Sequence, residues 1–249
     1  MLDTSHTRSP ATPLRILVGC ETSGVMRRAM AARGHDVWSC DLLPAEDGSN
    51  RHLIGDIRDY LPLGWDMLAV MHPPCTRLCN SGVRWLHEPP KNPPADAAAE
   101  ERADWPTLST EARRAIMWRL LDEGAALFTA CWQAPIPRVA IENPVMNPHG
   151  RARLPEDLPK PQIVQPWWFG EPAFKATGFY LRGLPQLAAT EKLTPPKAGT
   201  PEHKAWSAIH RAPPGPDRWK IRSRTFEGLA EACADQWAGT VTEAGEVTA

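Results

Sequence analysis

The sequence predicts an α/β fold built on a doubly wound, mainly parallel sheet, and three observations carry that expectation. Short apolar runs alternate with a helical pattern at the spacing of parallel strands. Two acidic residues, Asp41 and Asp56, fall just past the ends of two such runs, at the edge where open α/β sheets bind ligands. The 249 residues suffice for one such domain with a substantial core and a small appendage.

The elements follow in order. Residues 1–13 are polar and expected to be disordered, and residues 14–19 read as a short buried strand. The turn Cys20-Glu21-Thr22-Ser23-Gly24 leads into a helix over 25–33, closed by Gly34 in the position of a left-handed cap. Strands follow over 37–40, 53–54 and 67–71, the last running into His72-Pro73-Pro74-Cys75. Residues 88–106 are rich in Pro, Ala, Asp and Glu without periodicity, and are expected to form a mobile lid near Cys75. An amphipathic helix spans 110–133, with Ile116, Leu120, Ala125, Leu127 and Phe128 on or near its inner face. A buried strand at 139–141 ends at Glu142-Asn143-Pro144, and residues 163–169 and 177–181 suit antiparallel strands. Together 14–182 make one domain. Residues 183–222 are proline-punctuated and loop-rich, with little apolar core. A last amphipathic helix over 225–237, within a returning segment 223–239, packs back on the domain, and 240–249 read as a frayed tail.

Composition narrows the function. With 28 basic and 29 acidic residues the net charge is -1, so no global field draws the chain to nucleic acid, and any such contact needs a local basic patch. Six cysteines, at 20, 40, 75, 79, 131 and 233, lack disulfide-like spacing and read as free thiols in a reducing cytosol. No apolar segment has the length of a membrane span, and no signal-peptide pattern opens the chain. His72, Cys75 and Cys79 supply three metal-type ligands without a fourth, so no metal is expected.

Several residues at the predicted sheet edge carry chemistry, each with a plain alternative. Cys75 follows a rigid Pro-Pro step beyond a buried strand, which suits a reachable nucleophilic thiol of lowered pKa; the alternative is a half-buried free cysteine. Glu142 ends the next long strand, where burial can raise a carboxyl into the range of a general acid; the alternative is a loop or capping glutamate. Asp41 suits the ribose of a nucleotide-like cofactor and Asp56 an amino group, with helix capping as the alternative for both.

In chain order, residues 19–24, Asp41, Asp56, Pro74-Cys75 and Glu142-Asn143 resemble the motif series of the DNA cytosine-C5 methyltransferases, most of all the short phage- or prophage-type members. The resemblance covers 14–182 and returns at 222–237. It implies a Rossmann-like, S-adenosylmethionine-dependent methyltransferase sheet with a small target-recognition region at 183–222. S-adenosylmethionine is then the cofactor, DNA the partner, and a flipped cytosine forms a covalent adduct on the cysteine. Carried over, Cys75 is the nucleophile and Glu142 the acid at N3, with Asn143 and Lys175 in the same catalytic group. Cofactor contacts fall on Gly19, Cys20, Glu21, Thr22, Ser23, Gly24, Asp41, Leu42, Asp56, Ile57 and Pro74. DNA contacts are expected from Arg84, Arg182, Arg218, Lys220, Arg222 and Arg224. A cytoplasmic monomer is expected, in a bacterial or phage-infected cell.

The departures are specific. The family's Phe-x-Gly-x-Gly-Gly turn appears as Val18-Gly19-Cys20-Glu21-Thr22-Ser23-Gly24, and its Glu-Asn-Val as Glu142-Asn143-Pro144. No Gln-x-Arg-x-Arg is present, and Lys175 or Arg182 stands in for it. Three other readings stay open. An amino-methyltransferase for adenine N6 or cytosine N4 would need an aromatic where Cys75 stands. A C5 methyltransferase for free deoxycytidine nucleotides would explain the small recognition region. A DNA-binding protein without catalysis would dispense with both Cys75 and Glu142.

Overall fold

Successive residues of the central strands point to opposite faces, and both faces are apolar because both are covered. The computed structural model describes residues 12–213, 222–223 and 225–240. Seven strands form one sheet: β1 (Arg15–Gly19), β2 (Asp36–Asp41), β3 (His52–Ile54), β4 (Met67–Val70), β5 (Arg138–Glu142), β6 (Gln162–Val164) and β7 (Thr177–Arg182). Their order is β3-β2-β1-β4-β5-β7-β6. Only β7 runs against its neighbours β5 and β6; the other pairings are parallel. The chain is therefore α/β with a seven-stranded mixed sheet, and the order reverses direction between β1 and β4, the switch point where such sheets open a crevice.

Leu17, Leu68, Val70, Val139 and Ile141 face helix α5 (Thr110–Trp132), whose Met117, Leu121 and Phe128 join the same buried cluster. Ile16, Val18, Met67, Ala69, Ala140 and Phe179 pack on the other side against α1 (Val25–Ala31) and a late helix, α8 (Glu227–Cys233). The intervening short helices are α2 (Ile57–Tyr60), α3 (Arg84–His87), α4 (Ala99–Asp104), α6 (Pro148–Arg151) and α7 (Pro201–Trp206). Arg33 ties α1 to the end of the chain, with bonds to Asp235 at 2.8 Å and Glu231 at 3.0 Å. The last helix is shorter than its amphipathic pattern suggests, since Ala234–Ala238 continues it as a π turn.

Two expectations are corrected. The run 163–169 is not one strand: β6 stops at Val164 and Pro166–Trp168 is a 3₁₀ turn, because proline cannot donate to the ladder. Residues 88–106 do not lack a core. They contain α4, and Trp105 is wholly buried in the α5-side cluster with its indole N–H donating to Pro90 O at 3.1 Å. A tryptophan inside a polar, proline-rich stretch is the signal that periodicity overlooks. Among residues 183–213, Leu187, Trp206 and Ala212 are the buried apolar side chains. No helix among the described residues is long and apolar enough to cross a membrane.

Candidate active site

Parallel register places the ends of β4 and β5 side by side, Val70 opposite Ile141, so the segments that follow them meet at one edge. His72 to Cys75 come from the first and Glu142 from the second. Because β7 is reversed, its beginning lies at that same edge and brings Lys175 there, while its end, Arg182, lies at the opposite edge. A cavity of about 520 Å³ opens at this point, lined among others by His72, Cys75, Cys79, Glu142, Lys175 and Arg222.

The loop after Cys75 is sewn to the loop after Glu142. Asn147 is wholly buried; its amide donates to Arg77 O at 2.7 Å and Cys79 O at 3.2 Å, and its backbone N–H to Leu78 O at 2.7 Å. Its oxygen caps α6 by accepting from Gly150 N at 2.8 Å. The chain turns so tightly that a Cβ on Gly82 would stand 1.6 Å from Thr76 O. Arg77, also buried, pairs with both oxygens of Asp96 at 2.8 and 2.9 Å and so docks the 88–106 segment onto the loop that follows Cys75. On the other side, Asn143 N–H donates to Gly178 O at 2.8 Å, and a Cβ on Gly178 would sit 2.5 Å from Asn143 O. Asn143 is thus an anchor of Glu142 to β7, and its side chain turns to Pro144 O at 2.7 Å.

Electrostatics correct two expectations. Burial works to raise the Glu142 carboxyl, but the His72 bond, the His72 charge and Lys175 outweigh it, so the pKa is lowered and the group is held ionised. His72 Nδ1 lies 3.0 Å from Glu142 Oε2, and its Nε2 lies 3.0 Å from the hydroxyl of buried Thr225. Cys75, expected to be acidified, is pushed the other way by its bond to Cys79, by burial, and by the charges of Cys79 and Glu142. Cys79 is the sulfur held well below the ordinary thiol range. It accepts from Cys75, and against the cost of burial it gains the Ser81 hydroxyl at 2.9 Å and the Ser81 and Gly82 backbone N–H groups.

The cofactor-type residues sit around the switch point. Glu21, 1% exposed, accepts from the Ser23 hydroxyl at 2.8 Å and from Met26 N at 3.0 Å through one oxygen; its other oxygen is buried without a partner. Cys20 adopts φ 54, an uncommon conformation for a side chain, which fixes this turn. Gly24 starts α1, and Thr22 is held by Glu46 at 2.8 Å. Asp41 ends β2 and accepts from Leu43 N at 3.0 Å, and Leu42 beside it is 72% exposed. Ile57 is buried against Gly19. Asp56 is the N-cap of α2, and both its oxygens are held by the Arg58 guanidinium, which lowers its pKa; the capping alternative describes it.

Of the DNA-type residues, Arg222 reaches the cavity. Arg84 is exposed on α3 over the Trp85 ring at 4.0 Å and does not line it. Arg182 is corrected to a structural role: its guanidinium donates to Ala134 O and Ile136 O at 2.8 and 2.9 Å, closing the turn between α5 and β5. Arg218, Lys220 and Arg224 lie outside the described residues. Asn147 and Thr225 were not singled out by the sequence, and His72 and Cys79 were weighed there only as metal ligands. Asn147-Pro148 did carry a readable signal, since Asn before Pro is a helix-start pattern. No protein-family model matches the chain, and no curated protein is significantly similar to it.

Proposed function

We propose that this protein is an S-adenosylmethionine-dependent DNA cytosine-C5 methyltransferase with Cys75 as nucleophile. The observation that supports it most is the convergence of Cys75, Glu142 and Lys175 on one cavity at the carboxyl edge of the sheet. Three segments distant in sequence supply a thiol, a carboxylate and a cation to the same space, and the family resemblance assigns work to all three.

The switch-point residues suit the cofactor. Leu42 offers an uncovered apolar face to an adenine ring, Asp41 a carboxylate to ribose, and Glu21 a buried carboxylate oxygen without a partner. When bound there, S-adenosylmethionine supplies an electrophilic methyl group. The chain's own residues prepare the base. As Cys75 sulfur bonds to cytosine C6, its proton passes to Cys79, and the displaced electron pair is neutralised by a proton delivered through Glu142 at N3. The C5 hydrogen then leaves as a proton to water, N3 returns its proton through Glu142, and the expelled Cys75 thiolate regains its proton from Cys79.

DNA containing 5-fluorocytosine tests this directly, because fluorine cannot leave C5 as a proton. Denaturing electrophoresis should show a covalent complex with wild type in the presence of cofactor, and none with Cys75→Ser. Full methylation activity in Cys75→Ser would overturn the assignment and favour transfer to an exocyclic amine. Lys175, His210 and Arg222 around one cavity also suit a free nucleotide's phosphate, so deoxycytidine nucleotides belong in the same assay as competing substrates.

A further inference from the structure

The cavity contains one polar chain that the family resemblance does not account for. We infer that His72 is a positioning residue that supplies the proton Glu142 passes to its substrate, and that Thr225 fixes the imidazole for this task. The inference rests on the methyl-transfer reading above.

The geometry is complete at three points. Glu142 ends β5 with its carboxylate largely buried, a costly place for a charge without a partner. His72 Nδ1 stands 3.0 Å from that carboxylate, and His72 Nε2 stands 3.0 Å from the Thr225 hydroxyl, which comes from the segment leading into α8. Both ring nitrogens are thus engaged. A ring held at both nitrogens cannot rotate away, and the Nδ1 proton points at the carboxylate. Among the described residues, the other charged or titratable groups around the cavity are Lys175 ahead of β7, Cys75 and Cys79 on the loop of His72 itself, His210 after α7, and Arg222 before α8.

An ionised glutamate cannot act as an acid by itself, and the arrangement answers that difficulty. With His72 as imidazolium the pair carries one mobile proton. When sulfur adds to C6 and electrons move to N3, the bond from Nδ1 to hydrogen breaks, the facing Glu142 oxygen gains that proton, and the same oxygen passes it on to N3. His72 ends neutral, Glu142 ends as a carboxylate, and the base gains one N–H bond. The bond to the Thr225 oxygen persists, since Nε2 keeps its hydrogen and goes on donating to the hydroxyl. Protons and charges balance without any further reagent.

The test is the pH profile of covalent trapping on 5-fluorocytosine DNA, measured for wild type, His72→Gln and Thr225→Val. His72→Gln should slow trapping on the order of 10²–10⁴-fold, the usual loss when a proton-transfer group is removed. It should also erase the fall in rate on the alkaline side of the profile. Thr225→Val leaves the Glu142 contact in place and should slow trapping less while shifting that same limb. Circular dichroism and calorimetric DNA affinity serve as the controls for folding and binding. If His72→Gln proves unfolded, the Thr225→Val profile decides, and an unshifted limb overturns the inference. Wild-type trapping with unchanged rate and profile in both variants overturns the relay alone. Absence of trapping in wild type overturns the methyl-transfer reading, and the relay with it.

Discussion

A thiol that donates to a second sulfur gives up its own proton reluctantly, and Cys75 is in that position. Of the two sulfurs Cys79 is the one pushed below the ordinary thiol range, by Cys75 first and then by the Ser81 hydroxyl and the Ser81 and Gly82 backbone N–H groups. The ultraviolet absorbance of thiolate should therefore show a sulfur titrating well below the ordinary thiol range in wild type, lost in Cys79→Ala and kept in Cys75→Ser. Retention in Cys79→Ala would place the anion elsewhere. Glu142 makes a second prediction. Its folded pKa lies below the unfolded one, so its contribution to stability is present above the unfolded value and is lost as pH falls through the folded value. Glu142→Gln should show a shallower acid limb when urea midpoints are followed from neutral to acid pH; identical limbs would show that the carboxylate is not held ionised. Cys75 and Glu142 were legible in the sequence because each follows or ends a strand beside a distinctive neighbour. His72, Asn147 and Thr225 were not, since each matters through partners 68 to 153 residues away, and no local spacing encodes such pairings.

At the scale of elements, the central strands and the long helix were readable from apolar runs because burial on both faces leaves little else for those positions to be. Errors gathered where tertiary contact overrides local pattern. The 88–106 segment reads as a polar loop, yet Trp105 inserts fully and Asp96 answers a buried arginine. Trp105→Ala is expected to cost about 3–5 kcal/mol, as large-to-small changes in cores do, read as a lowered denaturant midpoint. It should also expose the 88–98 stretch to limited proteolysis. Unchanged stability would mean that the segment is no part of the core. Arg182 was misplaced for a topological reason: the reversal of β7 turns the two ends of that strand around, so Lys175 reaches the cavity and Arg182 does not.

Across the whole molecule, residues 183–213 hold three buried apolar side chains, so on the proposed function they offer few rigid positions from which bases can be read. Direct readout needs one placed side chain for each base. Methylation by this protein is expected to follow a site of no more than a few base pairs, as bisulfite sequencing of treated DNA would show; a strict six-base-pair site would contradict it. The packing of α8 on α1 has a different kind of consequence, one of timing. Arg33 and Asp235 are 202 positions apart, so a ribosome adding about 5–20 residues per second needs roughly 10–40 s to deliver the second after the first. Through that interval Met26, Met30 and the sheet face beneath them have no cover from α8. The nascent chain therefore carries an open apolar surface until α8 emerges, and chaperone dependence during synthesis should centre on this face and end with the docking of α8.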